Sequence, residues 1–286
     1  MYNYYFQIAE LILELASPAP IVFLPCMKPF QIEYTGKADL HYQIKMEKPP
    51  FAMQDTVSKG DFSIFKQAER FVRVKHVSVN DQRQPTFLCP LEQEGEYAFY
   101  VPKDMPKNGQ LFDGLQIWNF LAPEDGLLAH QAFILHSSFI SWNGKGILFT
   151  APSGTGKSTQ ADLWKQYEGA DIYNGDRTIV RKIDGKFIGF GSPYAGSSGI
   201  YRNESAPICA IVVLTQAPEN QIQRLSGKQA FLPLFRETLA NTWNPAYMER
   251  MTDLLMDAAA NIPIFHLACR PDQDAVNTVK QTILSL

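Results

Sequence analysis

Residues 147–159, Ile-Leu-Phe-Thr-Ala-Pro-Ser-Gly-Thr-Gly-Lys-Ser-Thr, place two glycines, a lysine and two hydroxyls between a short apolar run and a helical pattern. Residues of these types, in this order, suit a phosphate. Gly154 and Gly156 let successive backbone N–H groups converge on phosphate oxygens, and the N-terminus of the following helix adds a favourable dipole. Lys157 would neutralise a β/γ-phosphate pair, and Ser158 would ligate the Mg²⁺ that travels with a nucleotide. The nucleotide-binding candidates are therefore Ser153, Gly154, Thr155, Gly156, Lys157, Ser158 and Thr159, with Lys157 also a catalytic candidate. In the G-x-x-x-x-G-K-[ST] (Walker A) pattern Ala151 stands where the first Gly is usual, a mild change at a position that mainly needs room. The competing reading is a Gly-rich turn that opens a helix by chance.

Two further residues flank the loop in sequence. Asp176 lies in Tyr-Asn-Gly-Asp-Arg, just beyond a short strand pattern. A carboxylate there could hold Mg²⁺ or accept a proton from an attacking hydroxyl. Asn-Gly-Asp is also turn chemistry in its own right. His136 sits on the strand that leads into the loop, and is either a satisfied core histidine or a polar contact of the site. Arg177 and Arg202 could reach phosphate charge. Ser197 and Ser198 have no base at recognisable spacing, so a hydrolase triad is unsupported.

The elements that must carry these groups read as follows. Strand 134–142 meets strand 146–150 through Asn143-Gly144-Lys145, a hairpin signal. The loop and its helix come next, then a strand at 171–174. A second hairpin, 178–183 with 186–190, turns at Asp184-Gly185. Residues 191–199 are a loop of small residues, and 208–215 is a buried strand. Helices over 227–241 and 245–260, a strand at 264–267 and a last helix from Pro271 complete the chain. Upstream, 21–24, 31–34, 41–45, 71–79, 86–89 and 97–101 read as strands. Residues 6–15 have helical spacing, helices are expected at 112–121 and near 123–132, and 102–109 reads as a linker. The chain thus divides into a β-rich N-terminal domain, 1–108, and an α/β nucleotide-binding domain with a mixed sheet, 109–286.

With 286 residues, 45% hydrophobic, the chain can bury substantial cores, and its net charge of −3 gives no electrostatic footprint for nucleic acid. Cys26, Cys89, Cys209 and Cys269 lie far apart without metal-ligand spacing, as expected of separate thiols in a reducing compartment. No signal-peptide pattern opens the chain and no apolar run is long enough to span a bilayer, so a cytoplasmic protein without membrane partners is expected. A homo-oligomer is compatible with the sequence.

The C-terminal half resembles the HPr serine kinase family and its distant relative, ATP-dependent phosphoenolpyruvate carboxykinase. Leu135-His136-Ser137-Ser138 resembles the strand whose histidine precedes the loop, and residues 151–159 resemble the family's G-x-S-G-x-G-K-[ST] loop. Asn174-Gly175-Asp176-Arg177 falls where the kinases carry paired aspartates. The resemblance, over about residues 130–286, implies a carboxykinase-like P-loop domain. It also implies ATP and Mg²⁺ as cofactors, with γ-phosphoryl transfer to a serine of a peptide or protein, including precursors of modified peptides. Lys157, Asp176 and His136 are then the catalytic set, with Ser158 and Asp176 on the metal. Gly175 departs from the pair, and the segment with which HPr kinases grip HPr is missing. The rival expectation is a nucleotide-binding regulatory or scaffold protein without turnover. A carboxykinase acting on a small acid is disfavoured, because no basic substrate pocket is evident.

Overall fold

The computed structural model describes residues 1–52, 56–59, 62–107, 109–113, 120–194 and 196–286. It is mixed α/β, with two large mixed sheets, and divides into two compact units. The first comprises Met1–Ala129 with Asn241–Pro245, and the second His130–Ala240 with Ala246–Leu286.

The first unit is strand-dominated. Its strands are β1 (Tyr2–Ile8), β2 (Leu11–Ser17), β3 (Ile21–Val22), β4 (Gln31–Ile32), β5 (Leu40–Lys45), β6 (Thr56–Lys59), β7 (Ser63–Gln67), β8 (Arg70–Val79), β9 (Gln82–Pro90), β10 (Glu96–Tyr100) and β11 (Leu111–Asp113), followed by helix α1 (Glu124–Ala129). Among the described residues nine of them form one sheet in the order β4-β1-β2-β5-β10-β9-β8-β7-β6. The helical spacing of residues 6–15 misleads: the segment is the β1–β2 hairpin, turning at Ala9 and Glu10 with φ of 52° and 61°. The turn lacks Gly or Asn, the usual markers of positive φ. The helix expected at 112–121 lies mostly outside the described residues, and Leu111–Asp113 is strand. β11 pairs in parallel with β3, so the first unit runs past residue 108 to Ala129.

The second unit contains β12 (Ala132–Trp142), β13 (Lys145–Thr150), α2 (Lys157–Glu168), β14 (Asp171–Asn174), β15 (Arg177–Ile183), β16 (Lys186–Phe190), β17 (Ser205–Gln216), β18 (Gln221–Leu225), α3 (Lys228–Glu237), α4 (Pro245–Asn261), β19 (Ile264–Cys269) and α5 (Gln273–Leu284). The two hairpin turns expected here form, with positive φ at Asn143-Gly144 and at Asp184-Gly185. β18 has no apolar run to announce it; Gln, Ile, Gln, Arg and Leu alternate with only the second and fifth partly buried.

β13, β17 and β19 run parallel, while β12, β15 and β16 are antiparallel neighbours. β12 changes partner part-way: Ala132–His136 pair with β15, and Ser137–Trp142 with β13. The core under the parallel strands gathers Phe149, Trp164, Val212, Leu214, Phe265, Leu267, Val276 and Val279, all buried. Each such side chain contributes roughly 1.5–3 kcal/mol of burial free energy. This packing fixes α2 against the sheet and so sets where the loop before it must lie. Among the described residues no helix is long and apolar enough to cross a membrane.

Candidate functional site

The loop from Ala151 to Gly156 joins the end of β13 to α2. Gly154 and Gly156 adopt φ of 80° and 117°, and Gly156 is the residue on which α2 starts. A helix that begins on glycine has no side chain to cap its first amides, which are left to an external acceptor. Thr155 closes the loop on itself, its hydroxyl donating to the Pro152 carbonyl at 2.9 Å. Ser153, Ser158 and Thr159 are exposed, as groups meeting a ligand must be.

Lys157 is buried, 7% exposed, and folds back over the loop. Its ammonium donates to the carbonyls of Ala151 at 2.8 Å and Pro152 at 3.3 Å. Burial pulls its pKa below the ordinary lysine value, against the opposing pull of the Glu237 and Asp176 charges. An ammonium held only by neutral carbonyls, with two carboxylates near, suits exchange onto phosphate oxygens.

Asp176 is placed by Asn174. This asparagine is fully buried at the end of β14, and its Oδ1 accepts from the backbone N–H of Asp176 at 2.9 Å and of Arg177 at 2.8 Å. Its Nδ2 donates to the carbonyls of Ser192 at 3.0 Å and Tyr194 at 2.9 Å. One side chain therefore ties the Gly175-Asp176 turn to the loop after β16. Ser192 adds a bond from its hydroxyl to the Arg177 carbonyl at 2.6 Å, and the Arg177 guanidinium lies 4.9 Å from the Tyr194 ring centre.

Gly175 has a structural cause. A Cβ built there would lie 2.0 Å from Ser198 Oγ and 2.5 Å from Ser198 Cβ. The short turn Gly196–Ser198 occupies the space that a side chain at 175 would need. Position 196 is also tight, with a Cβ falling 2.6 Å from that of Asp176.

His136 is half-buried at the residue where β12 changes partner. Its Nδ1 lies 2.9 Å from Glu237 Oε2, and its Nε2 lies 3.8 Å from Asp176 Oδ1. Glu237 was not among the sequence candidates. A helix running to 241 would have left it as one more polar helical residue, but α3 stops at Glu237. Thr238 is extended and bridges to Leu135, and the Leu239 N–H donates to the Ile134 carbonyl at 2.9 Å. Return of the chain to the edge of β12 brings the last residue of α3 onto the histidine, and no local motif announces this.

The second unit carries two hollows, one of them against the loop. One, of about 250 Å³, is lined by Ile134, His136, Asp176, Arg177, Arg236 and Glu237. The other, of about 380 Å³, lies at the carboxyl ends of β17 and β19 against Gly154, Thr155, Gln160, Gln216 and Arg270. Ligands of open α/β sheets bind in such a crevice. Arg202, a weaker phosphate candidate, instead pairs with Asp171 at 3.1 Å, at the far end of β14 from Asp176. Among the described residues no cluster of three or more His, Cys, Asp or Glu could hold a metal ion.

The model of the family described as "SynChlorMet cassette protein ScmC" matches residues 117–273, more than half of the chain. The chain belongs to this family. The ScmC match contains the loop, His136, Asp176 and Glu237, so all of these groups lie within the family's own segment. No curated protein matches the chain. Among solved structures, the HPr(Ser) kinase/phosphatase from Coxiella burnetii is similar over 53% of this chain and 93% of its own, at 11% identity and a TM-score of 0.32.

Proposed function

We propose that the second unit is an ATP- and Mg²⁺-dependent phosphotransferase that moves the γ-phosphoryl group to a hydroxyl, in the first instance a serine of a peptide or protein. The observation that carries this reading is the convergence of Asp176, His136 and Glu237 on one hollow, with Lys157 at an uncapped helix start close enough to feel the Glu237 and Asp176 charges. The donor set fits the ligand. Gly154 and Gly156 have the left-handed backbone that turns their amides to one side, nothing lies within 4 Å of where a side chain would project, and α2 has no capping side chain. Bound there, Mg²⁺-ATP would supply the transferable group and neutralise its developing charge. Ser158 and Asp176 would hold the ion, and Lys157 would exchange its loop carbonyls for phosphate oxygens. Such transfer depends on positioning and charge more than on covalent help from the protein, so a small set of side chains suffices. The first unit would recognise the acceptor. The family's description as a cassette protein suits an acceptor encoded alongside, such as a precursor peptide.

A second reading is favoured by one observation. Ser198 fills the place of a second carboxylate at 175, as expected of a nucleotide-binding regulatory protein that has lost turnover. The deciding experiment is transfer of labelled phosphate from ATP to a mixture of serine-containing peptides, run on the wild type, Lys157→Ala and Asp176→Asn. The kinase reading expects wild-type transfer, loss of nucleotide binding in Lys157→Ala, and, in Asp176→Asn, metal-free nucleotide binding retained, Mg²⁺-dependent binding weakened and transfer lowered by about 10²–10⁴-fold. Nucleotide binding that depends on Lys157, with no transfer by the wild type, decides for the regulatory reading.

A further inference from the structure

We infer that Glu237 is the positioning residue of the transfer site, supplying through His136 the second acidic group that Gly175 cannot. This rests on the phosphotransfer reading and adds to it a residue and the way it acts. Three observations support it. First, the space for a side chain at 175 is closed by Ser198, so no rotamer change could restore a carboxylate from the Asp176 turn itself. Second, Glu237 arrives from a different element, through the abrupt stop of α3 and the bridge of Thr238 to Leu135. It lies in the same hollow as Asp176 and Arg177. Third, the two acids face opposite edges of one imidazole: Glu237 Oε2 at 2.9 Å from Nδ1, and Asp176 Oδ1 at 3.8 Å from Nε2.

The unequal distances assign the parts. At 2.9 Å Glu237 accepts a hydrogen bond, which a neutral imidazole can make only if the proton is on Nδ1. Nε2 then presents a lone pair to the hollow. Its distance of 3.8 Å from Asp176 is too long for a hydrogen bond. A hydroxyl entering between them can donate to Nε2 and is thereby oriented beside Asp176. Glu237 does not need to touch the acceptor or the nucleotide; it fixes which ring nitrogen faces them. Its side chain is only 15% exposed, so water competes weakly for the bond. In this arrangement Asp176 remains available to the metal ion, and the orientation of the nucleophile passes to the Glu237–His136 pair. The division suits a transition state in which placing the nucleophile matters more than the strength of a base.

The test compares the wild type, Glu237→Gln and Glu237→Asp. In the ligand-free protein, ¹⁵N-detected imidazole spectra report the His136 tautomer. The wild type is expected as the Nδ1–H form, and Glu237→Gln, whose amide can donate as well as accept, as a mixture. In the peptide-transfer assay Glu237→Gln is expected to lower kcat by about 10–100-fold, the usual cost of losing the partner that orients a functional histidine, with ATP affinity and Tm little changed. Glu237→Asp should recover part of both readouts. A wild-type tautomer in Glu237→Gln overturns the inference, as does an unchanged kcat or a loss of kcat that only follows a loss of Tm. If Glu237→Gln fails to fold, Glu237→Asp is judged on the same measurements. If the wild type shows no transfer, the phosphotransfer reading falls, and the tautomer spectra alone then decide whether Glu237 sets the ring.

Discussion

Position 175 offers the sharpest test of how the site is built. Gly175→Ala adds one methyl group, and the backbone there is not left-handed, so any effect comes from crowding and not from φ strain. The new Cβ would lie 2.0 Å from Ser198 Oγ and 2.5 Å from Ser198 Cβ, far inside van der Waals contact. Ser198 cannot simply rotate away, because its Cβ clashes as well as its hydroxyl. The turn must shift, and overpacking of this kind costs about 1–3 kcal/mol. In a unit of this size that corresponds to a fall in Tm of about 2–4 °C per kcal/mol. Ser198→Gly removes both clashing atoms, at a cost of roughly 0.5–1.5 kcal/mol for the bond that Ser198 Oγ accepts from the Ile200 N–H at 3.2 Å. The double variant should therefore be more stable than the sum of the singles predicts, with a coupling of about 1–3 kcal/mol in urea unfolding. Gly175→Asp should be tolerated only in the Ser198→Gly background. A Gly175→Ala protein as stable as the wild type, or a cycle with no coupling, would refute the packing argument.

Other perturbations follow from the same geometry. Asn174→Ala removes the acceptor of two backbone amides and the donor to two carbonyls in a fully buried place, and should cost about 2–4 kcal/mol by thermal unfolding. Gly196→Ala, at φ 54° and with its Cβ 2.6 Å from that of Asp176, should displace Asp176 and lower Mg²⁺-dependent nucleotide affinity more than metal-free affinity in calorimetry. Asp272 caps α5, accepting from the Ala275 N–H at 3.0 Å, so Asp272→Ala should cost about 1 kcal/mol. The Asn220 hydrogen bond is the first cause holding its carboxyl below the ordinary 3.8, so this stabilisation is complete above pH 3.8 and lost as pH falls through the depressed value. The stability gap between Asp272→Ala and the wild type should therefore close in acid. Burial pushes the Cys209 thiol up to about 11 and the Cys89 thiol up to about 12, so alkylation of the native protein near pH 8 should be far slower than that of the unfolded chain.

The second unit was legible where the local code is strong. Asn143-Gly144 and Asp184-Gly185 carry their own turn geometry, and the apolar run 208–215 lies inside β17. The last helix, read from Pro271, starts one residue beyond its cap, Asp272. The sequence misled where geometry depends on partners distant in the chain. The Ala9-Glu10 turn has positive φ without glycine or asparagine, and only pairing along β1 and β2 justifies it. In the candidate site, the loop 151–156 and Asp176 could be proposed from spacing, and His136 as one of two alternatives. Glu237 could not, since its role depends on α3 ending where Thr238 pairs with Leu135, a contact across about a hundred residues.

The same distinction explains the departure at Gly175. Read along the chain, the glycine looks like a lost carboxylate. Read in space, it is half of a packing arrangement: the turns 175–176 and 196–198 press together, and each needs a glycine where the other approaches. Asn174 ties the first turn to the loop after β16, bonding both to its own turn and to the carbonyls of Ser192 and Tyr194. An aspartate at 175 would force the turns apart and release the contact that fixes Asp176. The loop after β16 thus holds the remaining carboxylate in place, and the space for a second acid opens on the other side of His136, where Glu237 stands. A glycine at 175 and a carboxylate at 237 on a different element are, on this argument, two sides of one packing choice.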